Sequence, residues 1–487
     1  MGWKETAGPV LTRIPGVRRP TGHVPFRRKL TWTGGILVLY FFLTTVTLFG
    51  LGGDAQDLYG RSFEAILAAN QGTLMQLGIG PIVTASIVLQ LLQGADLLGL
   101  DTSQPRDQMI YQGLQKALVF VMIVLTGLPM VFLGGFLPAA SVAGLPTVAV
   151  KWLMFAQIAL GGVLILYMDE VVSKWGVGSG IGLFIVAGVS QSLVGGFFYW
   201  GGPQGQAGFI PTWIGIALGS VDVPRLLSPA GLQFLLFDSN AGLVALFTTF
   251  LIFGIVVYAE SVRVEIPLSH AQVKGARGRF PVKLIYASVL PMILVRALQA
   301  NIQFVGRILN ATWAGMPAWL GTYSNGQPTG GLFYFFAPVY SPGDWMWWVG
   351  GGSASAHAVW EVLLRVGIDL TFMIVGGAIF AIFWVETADM GPDATAQQIK
   401  NSGMRLPGFR DNEAVIEKVM ERYIPQVTVI GGALVGLLAV MANMMGTIGN
   451  VTGTGLLLAI SITYKLYEEI AEEQLMEMHP IMREMFG

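Results

Sequence analysis

Cysteine is absent from all 487 residues, histidine occurs four times, and only 12% of residues are charged. Without cysteine there are no disulfides, thiolate metal sites or thiol nucleophiles. The histidines, His23, His270, His357 and His479, are too scattered along the chain for a metal cluster. There is no Gly-Lys-Ser/Thr phosphate loop, and Gly176-Val-Gly-Ser-Gly180 lacks the strand–turn–helix setting of a nucleotide fingerprint. Nothing reads as catalytic, and no cofactor or metal is expected. The shortage of charge is itself informative, because a soluble chain of this length carries about 25%.

Hydrophobic residues make up 53% of the chain and gather into runs. Ten are long or apolar enough to count: Leu30–Gly50, Gly80–Gly94, Leu114–Phe136, Val148–Met168, Gly178–Tyr199, Ala241–Tyr258, Leu284–Phe304, Val366–Trp384, Val427–Met445 and Gly455–Leu466. About 20 apolar residues cross a bilayer as a helix. The second and last runs are short and are expected to extend into their flanks. A membrane β-barrel would need repeated alternation over about ten residues, and none is present. The expected class is an all-α integral membrane protein with ten transmembrane helices.

Net charge is −1, so partners must be read from local charge. The segment before the first run carries Lys4, Arg13, Arg18, Arg19, Arg27, Arg28 and Lys29. The loop after the sixth carries Arg263, Lys274, Arg277, Arg279 and Lys283, and the loop after the eighth carries Lys400, Arg405, Arg410, Lys418 and Arg422. With ten spans all three lie on one side. The opposite loops hold little beyond Arg61, Arg225 and Arg307. The positive-inside rule then places both termini in the cytosol. The first apolar run starts too late, is too long and lacks a small-residue cleavage site, so a cleavable signal peptide is not expected. The basic loops Glu260–Lys283 and Ala388–Tyr423 exceed what a helix connection needs, which suggests that something large and anionic docks there.

Three segments are unusual for membrane packing. In Asp57–Ala69 the residues Leu58, Tyr59, Phe63, Ile66 and Leu67 make one helical stripe, too short and too charged to span. It reads either as an interfacial surface helix or as a re-entrant one. Ile79 and Val83 share a helix face, as do Ile181 and Ile185. Such pairs usually face lipid or core, but a constriction that gates by dewetting needs the same chemistry. Finally, Glu361, Arg365 and Asp369 are spaced four apart, and Arg296 falls in the outer half of the seventh run. A charge at mid-bilayer costs about 2.5–3.5 kcal/mol. These groups are expected to face one another or a water-filled cavity, with Arg365 paired to Glu361 or Asp369. The alternative is snorkelling at the outer interface.

A series of local motifs resembles the SecY family, the large subunits of the general protein-conducting channel. They are Gly78-Ile-Gly-Pro-Ile-Val-Thr84, Tyr167-Met-Asp-Glu-Val-Val-Ser-Lys174, Gly176-Val-Gly-Ser-Gly-Ile-Gly-Leu-Phe-Ile185, Glu265-Ile-Pro-Leu268, Gly278-Arg-Phe-Pro-Val-Lys283, Trp384-Val-Glu-Thr387, Gly403-Met-Arg-Leu-Pro-Gly-Phe-Arg410, Arg422-Tyr-Ile-Pro425 and Gly453-Thr-Gly-Leu-Leu-Leu458. They follow the family's order from about Lys29 to Pro480, and the second basic loop looks more like the archaeal and eukaryotic branch.

The resemblance implies two pseudo-symmetric halves, helices one to five and six to ten. It divides the chain into a basic segment 1–29, halves 30–199 and 241–468, an external hinge loop 200–240, and a cytosolic tail 469–487. It implies a re-entrant plug at about 57–69 and a pore ring of Ile79, Val83, Ile181, Ile185, Ile293 and Leu458. A lateral gate to lipid is implied between helices two/three and seven/eight. Where the family often has a polar residue before the Pro of helix seven, this chain has Val289, leaving Thr84, Gln90 and Ser288 as polar gate candidates. The ribosome-contact loops fall on Lys274, Arg277, Arg279, Arg405 and Arg410.

The implied function is passive conduction of unfolded polypeptide across the cell membrane and lateral release of apolar segments into lipid. The implied partners are the translating ribosome, nascent chains with their signal sequences, a SecE-type gamma subunit and a small beta-type subunit. A secondary transporter with inverted repeats is the rival reading; it needs a polar midplane site, for which only Arg296 and Asp369 offer themselves. A membrane-embedded enzyme lacks a nucleophile, a metal cluster or a paired acid and base.

Overall fold

Lipid offers the backbone no hydrogen bonds, so a spanning segment without a closed barrel must be helical. The computed structural model describes residues 8–22, 24–52, 67–94, 97–100, 104–133, 145–201, 207–220, 228–237, 242–270, 277–283, 290–313, 315–324, 327–348, 353–388, 390–401, 404–405, 413–449 and 451–478. Within them the apolar runs become ten long helices: α1 (Phe26–Thr45), α2 (Gly80–Gly94), α3 (Pro105–Phe132), α4 (Thr147–Trp175), α5 (Gly180–Phe198), α6 (Leu243–Ser261), α7 (Leu290–Thr312), α8 (Val359–Thr387), α9 (Glu413–Met445) and α10 (Gly453–Met478). Seven, α3 to α9, are long and apolar enough to cross a membrane on length and composition alone. The other three differ for visible reasons: α2 has 15 residues, α1 opens with Arg27, Arg28 and Lys29, and α10 runs on past Tyr464 into an acidic stretch. As expected, α10 extends beyond its apolar run.

Contacts sort the helices into two groups. In the first, α2 packs on α3, α3 on α4, α4 on α5, and α1 on α4 and α5. In the second, α8 packs on α9 most extensively, α7 on α8, and α10 on α6 and α9. A side chain at Gly377 of α8 would strike the backbone of Gly432 of α9, and the reverse also holds, so small residues permit the closest helix approach. The two halves meet along two seams. On one, α2 lies against α7 and α8; on the other, α5 and α1 lie against α10.

At the end of the bundle where α1 begins and α10 finishes, here the basic end, a hairpin of β1 (Arg263–His270) and β2 (Arg277–Lys283) projects from α6. Its register pairs Arg263 with Lys283 at the root and Ser269 with Arg277 near the tip. A third strand, β3 (Met404–Arg405), joins β1 through Ser269↔Arg405 and His270↔Met404. The two basic loops, about 130 residues apart in sequence, therefore meet in one sheet.

At the opposite end, a strand pair (Thr322–Ser324 with Gln327–Gly330) and a short helix (Gly331–Phe335) fold back against α7. The carbonyl of Phe336 meets Gln299, thirteen residues before the end of α7, and the Val339 amide meets Asp369, ten residues into α8. At 1.5 Å per residue, residues 331–341 reach about 15–20 Å below the helix ends. Irregular backbone at such depth requires internal partners.

Candidate pore and gate

The six aliphatic residues singled out from the sequence come from four helices or helix starts, and the starts at α2, α5 and α10 are each held by specific hydrogen bonds. Gly78 sits at φ +53°, and a side chain there would collide with the Leu67 carbonyl. That carbonyl accepts the Ile79 N–H at 2.7 Å. The Ala68 carbonyl accepts from the Tyr40 hydroxyl of α1 at 3.2 Å. At α5, the Ser179 side chain accepts from Gly182 N–H, and Asp169 of α4 accepts from Ile181 N–H at 2.9 Å. At α10, the Asn443 side chain accepts from Thr454 N–H at 2.7 Å.

With their helices so oriented, Ile79, Val83, Ile185, Ile293 and Leu458 are buried in one contiguous apolar cluster, and Ile181 packs against it partly buried. The six come from both halves and carry no charge or hydrogen-bonding side chain. Of the stripe 58–67, only Leu67 lies within the described residues; Leu58, Tyr59, Phe63 and Ile66 lie outside them. Leu67 is buried with Ala300 of α7, and Ala69 and Tyr340 pack against the pair.

Polar side chains line the seam around α2. Thr84 accepts from the Asn301 amide of α7 at 3.0 Å and donates to the Gly80 carbonyl at 2.9 Å. Ser86 accepts from Gln115 of α3 at 3.1 Å. Gln90 is buried, and its Oε1 has no protein partner. Ser288 and Val289 lie outside the described residues. Asn301 was not singled out from the sequence, although an amide inside the apolar run Leu284–Phe304 requires a partner on burial and was a usable signal. Toward the basic end, Gln112, Gln115, Lys116, Asp169, Glu170 and Ser173 line a polar cavity of about 500 Å³ beside α2.

A polar stripe runs along α7: Arg296, Gln299, Gln303 and Arg307, all buried, at i, i+3, i+7 and i+11. The re-entrant segment and α8 supply partners. Arg296 and Asp369, both with fully buried side chains, pair at 3.2 Å. Arg296 also donates to Gln299 Oε1 at 2.7 Å, and Gln299 donates to Asp369 at 2.9 Å and to the Phe336 carbonyl at 3.3 Å. Asp369 accepts the Val339 N–H at 3.2 Å. Gln303 donates to the Phe333 carbonyl, and Arg307 contacts Gln327.

Two sequence expectations are corrected here. Arg365 does not pair with Glu361 or Asp369. It donates to the carbonyls of Ala337 at 3.0 Å and Pro338 at 2.7 Å, and its guanidinium lies over the Tyr334 ring. Those carbonyls are buried acceptors, whereas Glu361 is taken up at its own helix start, accepting from the Ala358 N–H beside His357. Nor is Arg296 in the outer half of its helix: α7 continues eight residues past Phe304 to Thr312, which places Arg296 nearer mid-helix.

Of the predicted contact residues at the basic end, Arg277, Arg279 and Arg405 lie on the three-stranded sheet, while Lys274 and Arg410 lie outside the described residues. Among the described residues no group of three His, Asp or Glu could hold a metal.

Two helical groups that meet along two seams, built from long apolar helices around an uncharged apolar core, define a multi-span membrane protein. The SecY family model matches residues 73–467. The chain is 72% identical to the protein translocase subunit SecY of Halobacterium salinarum, covering 100% of this chain and 99% of that one, and 72% identical to that of Haloferax volcanii, covering 100% of both. Among solved structures, a protein-conducting channel superposes with a TM-score of 0.80 at 36% identity, covering 97% of this chain and 98% of that one. Sec61 in the canine ribosome–channel complex gives 0.77 at 36% identity, with the same coverage. The chain belongs to the SecY family and is a protein-conducting channel subunit, of the archaeal and eukaryotic type. The transporter alternative is not favoured.

Proposed function

We propose that the chain is the pore-forming subunit through which unfolded polypeptide crosses the membrane, with Ile79, Val83, Ile181, Ile185, Ile293 and Leu458 as the seal. The observation that carries this is that all six, drawn from both halves, lie in or against the same uncharged apolar core. A dewetted constriction blocks ions without charge and yields to a passing chain. Leu67 and the segment before it serve as the plug; in support, a related solved structure concerns the SecY plug domain and the membrane seal. The seam of α2 with α7 and α8 is the lateral gate, with Thr84–Asn301 as its polar contact, while Ser86–Gln115 ties α2 to α3 and Gln90 lies further along α2.

The basic end faces the cytosol of a cell whose plasma membrane holds the channel, following the positive-inside rule. Arg277, Arg279 and Arg405, with Lys274 and Arg410, contact ribosomal phosphates; the similarity to Sec61 in a ribosome complex supports that reading. A SecE-type gamma subunit and a small beta-type subunit complete the assembly. The energy comes from the translating ribosome, and the chain performs no chemistry.

The test is ionic leak. In planar bilayers, Ile185→Gly combined with Ile293→Gly should raise the conductance of the idle channel well above wild type. Unchanged conductance would place these residues in inert core packing.

A further inference from the structure

The acidic extension of α10 has two faces. On one, at i, i+3, i+4 and i+7, lie Ser461, Tyr464, Lys465 and Glu468. Glu468 binds both root residues of the β1–β2 hairpin, accepting from Arg263 at 3.0 Å and forming a short ion pair with Lys283. Those two residues are register partners across the strands. Lys283 also lies over the Tyr464 ring, 5.8 Å from its centroid. The other face, turned by about a third of a circle, carries Leu466, Glu469, Glu473 and Glu477. Leu466 and Glu469 lie against Gly178 in the turn between α4 and α5. Glu473 forms a short ion pair with Lys29, and Glu477 accepts the Phe26 N–H, both at the start of α1. One continuous helix thus grips the hairpin root with one face and the N-terminal half with the other.

We propose that the α10 extension is a rigid bracket that sets the direction of the β1–β2 hairpin for docking, with Glu468 as its positioning residue. A two-stranded ribbon is marginal alone, and the third strand adds only two residues near the tip, so the orientation of the hairpin rests chiefly on what holds its root. A single carboxylate shared by a cation from each strand fixes both strands to one helix. Because the same helix is tied to α1, a load on the hairpin passes to both halves of the channel. The docking role rests on the reading of the hairpin as the ribosome-contact loop.

The absence of cysteine makes site-specific labelling clean. Spin labels at Ser269→Cys on the hairpin and Glu421→Cys on α9, in the full chain in nanodiscs, should give a narrow distance distribution. Glu468→Gln should broaden it, while a label pair at Val121→Cys and Ile430→Cys within the bundle stays unchanged. The charge-swapped variant Arg263→Glu/Lys283→Glu/Glu468→Arg should narrow it again, which loss of fold would not allow. Ribosome co-sedimentation at low salt should weaken about threefold to tenfold in Glu468→Gln, with recovery in the swapped variant.

An unchanged distribution in Glu468→Gln overturns the bracket. Broadening with full ribosome affinity overturns its role in docking, provided that Arg277→Glu/Arg279→Glu does weaken binding. If that double variant also binds normally, the docking reading fails, while the broadening still supports Glu468 as the residue that positions the hairpin.

Discussion

Removing Asp369 should be among the most damaging single changes in the protein, and the structure says by how much. Its carboxylate faces Arg296 at 3.2 Å with both side chains fully buried. At an effective dielectric constant of about 20, two unit charges at that distance attract by about 5 kcal/mol. Most of that gain repays desolvation, so the pair adds little net stability against an apolar replacement. Breaking it is another matter. Asp369→Ala leaves a guanidinium at membrane depth with only Gln299 Oε1 as acceptor, and also orphans the Val339 N–H. The expected loss is about 3–5 kcal/mol, or roughly two to four orders of magnitude in the unfolding constant. Arg296→Met should cost a similar amount by stranding the carboxylate.

The combination Arg296→Met/Asp369→Leu should recover most of it. The residual deficit is the Val339 amide without its acceptor, about 1–3 kcal/mol. The assay is a double-mutant cycle on unfolding in nanodiscs, with hydrogen exchange at the Val339 amide as the local readout. Single effects that add within about 0.5 kcal/mol would refute the coupling and leave the two groups energetically independent.

Two further outcomes follow from the α2 start and its seam. Thr84→Val removes the acceptor for the half-buried Asn301 amide and should loosen the α2–α7 contact by about 0.5–1.5 kcal/mol, while Thr84→Val/Asn301→Leu returns close to wild type; spin-label distances between α2 and α7 read this directly, and a double variant looser than the single would contradict it. Gly78→Ala meets both a positive φ and the Leu67 carbonyl, so it should raise idle leak and lower thermal stability; Gly99→Ala, also at positive φ but with nothing within 4 Å, should cost only about 1–2 kcal/mol of backbone strain and leave the leak unchanged.

Hydropathy made the ten helices legible, because lipid forces long apolar runs into helices and little competes with that rule. Helix limits were less legible where chemistry changes along a helix: α10 carries its ladder far past Leu466 into acidic residues, and α7 runs on past Phe304. The proposed aliphatic ring could be named from local motifs, but the placing of its helices depends on starts that residues elsewhere hold, such as Asp169 at Ile181 and Asn443 at Thr454. The sheet joining both basic loops was invisible, since Ser269 and Arg405 carry no sign of pairing across that separation. Arg365 was misassigned because four-residue spacing points to partners on the same helix, whereas carbonyls of the re-entrant segment lie nearer. That segment was missed because Gly331–Ser341 reads as an ordinary loop, and only the buried polar stripe of α7 explains why it must descend.

The two seams differ in what holds them, and that difference assigns their roles. Where α5 and α1 meet α10, the contact is tied at both ends. Glu473 and Glu477 bind the start of α1 at the basic end, while at the other end Gly196 of α5 lies against Gly449, in the turn before α10. Separation there would break ion pairs and a close backbone contact together. Where α2 meets α7 and α8, the side-chain hydrogen bond among the described residues is the neutral Thr84–Asn301 one, and lipid can replace apolar contacts at small cost. The strong polar links near this seam, Arg296–Asp369 and Arg365 with the carbonyls of Ala337 and Pro338, join α7, α8 and the re-entrant segment to one another rather than to α2. They bind one lip of the proposed gate into a single body without closing it. This asymmetry supports the proposed gate: the halves would part at α2, where the fewest costly groups must separate, and stay joined at α10.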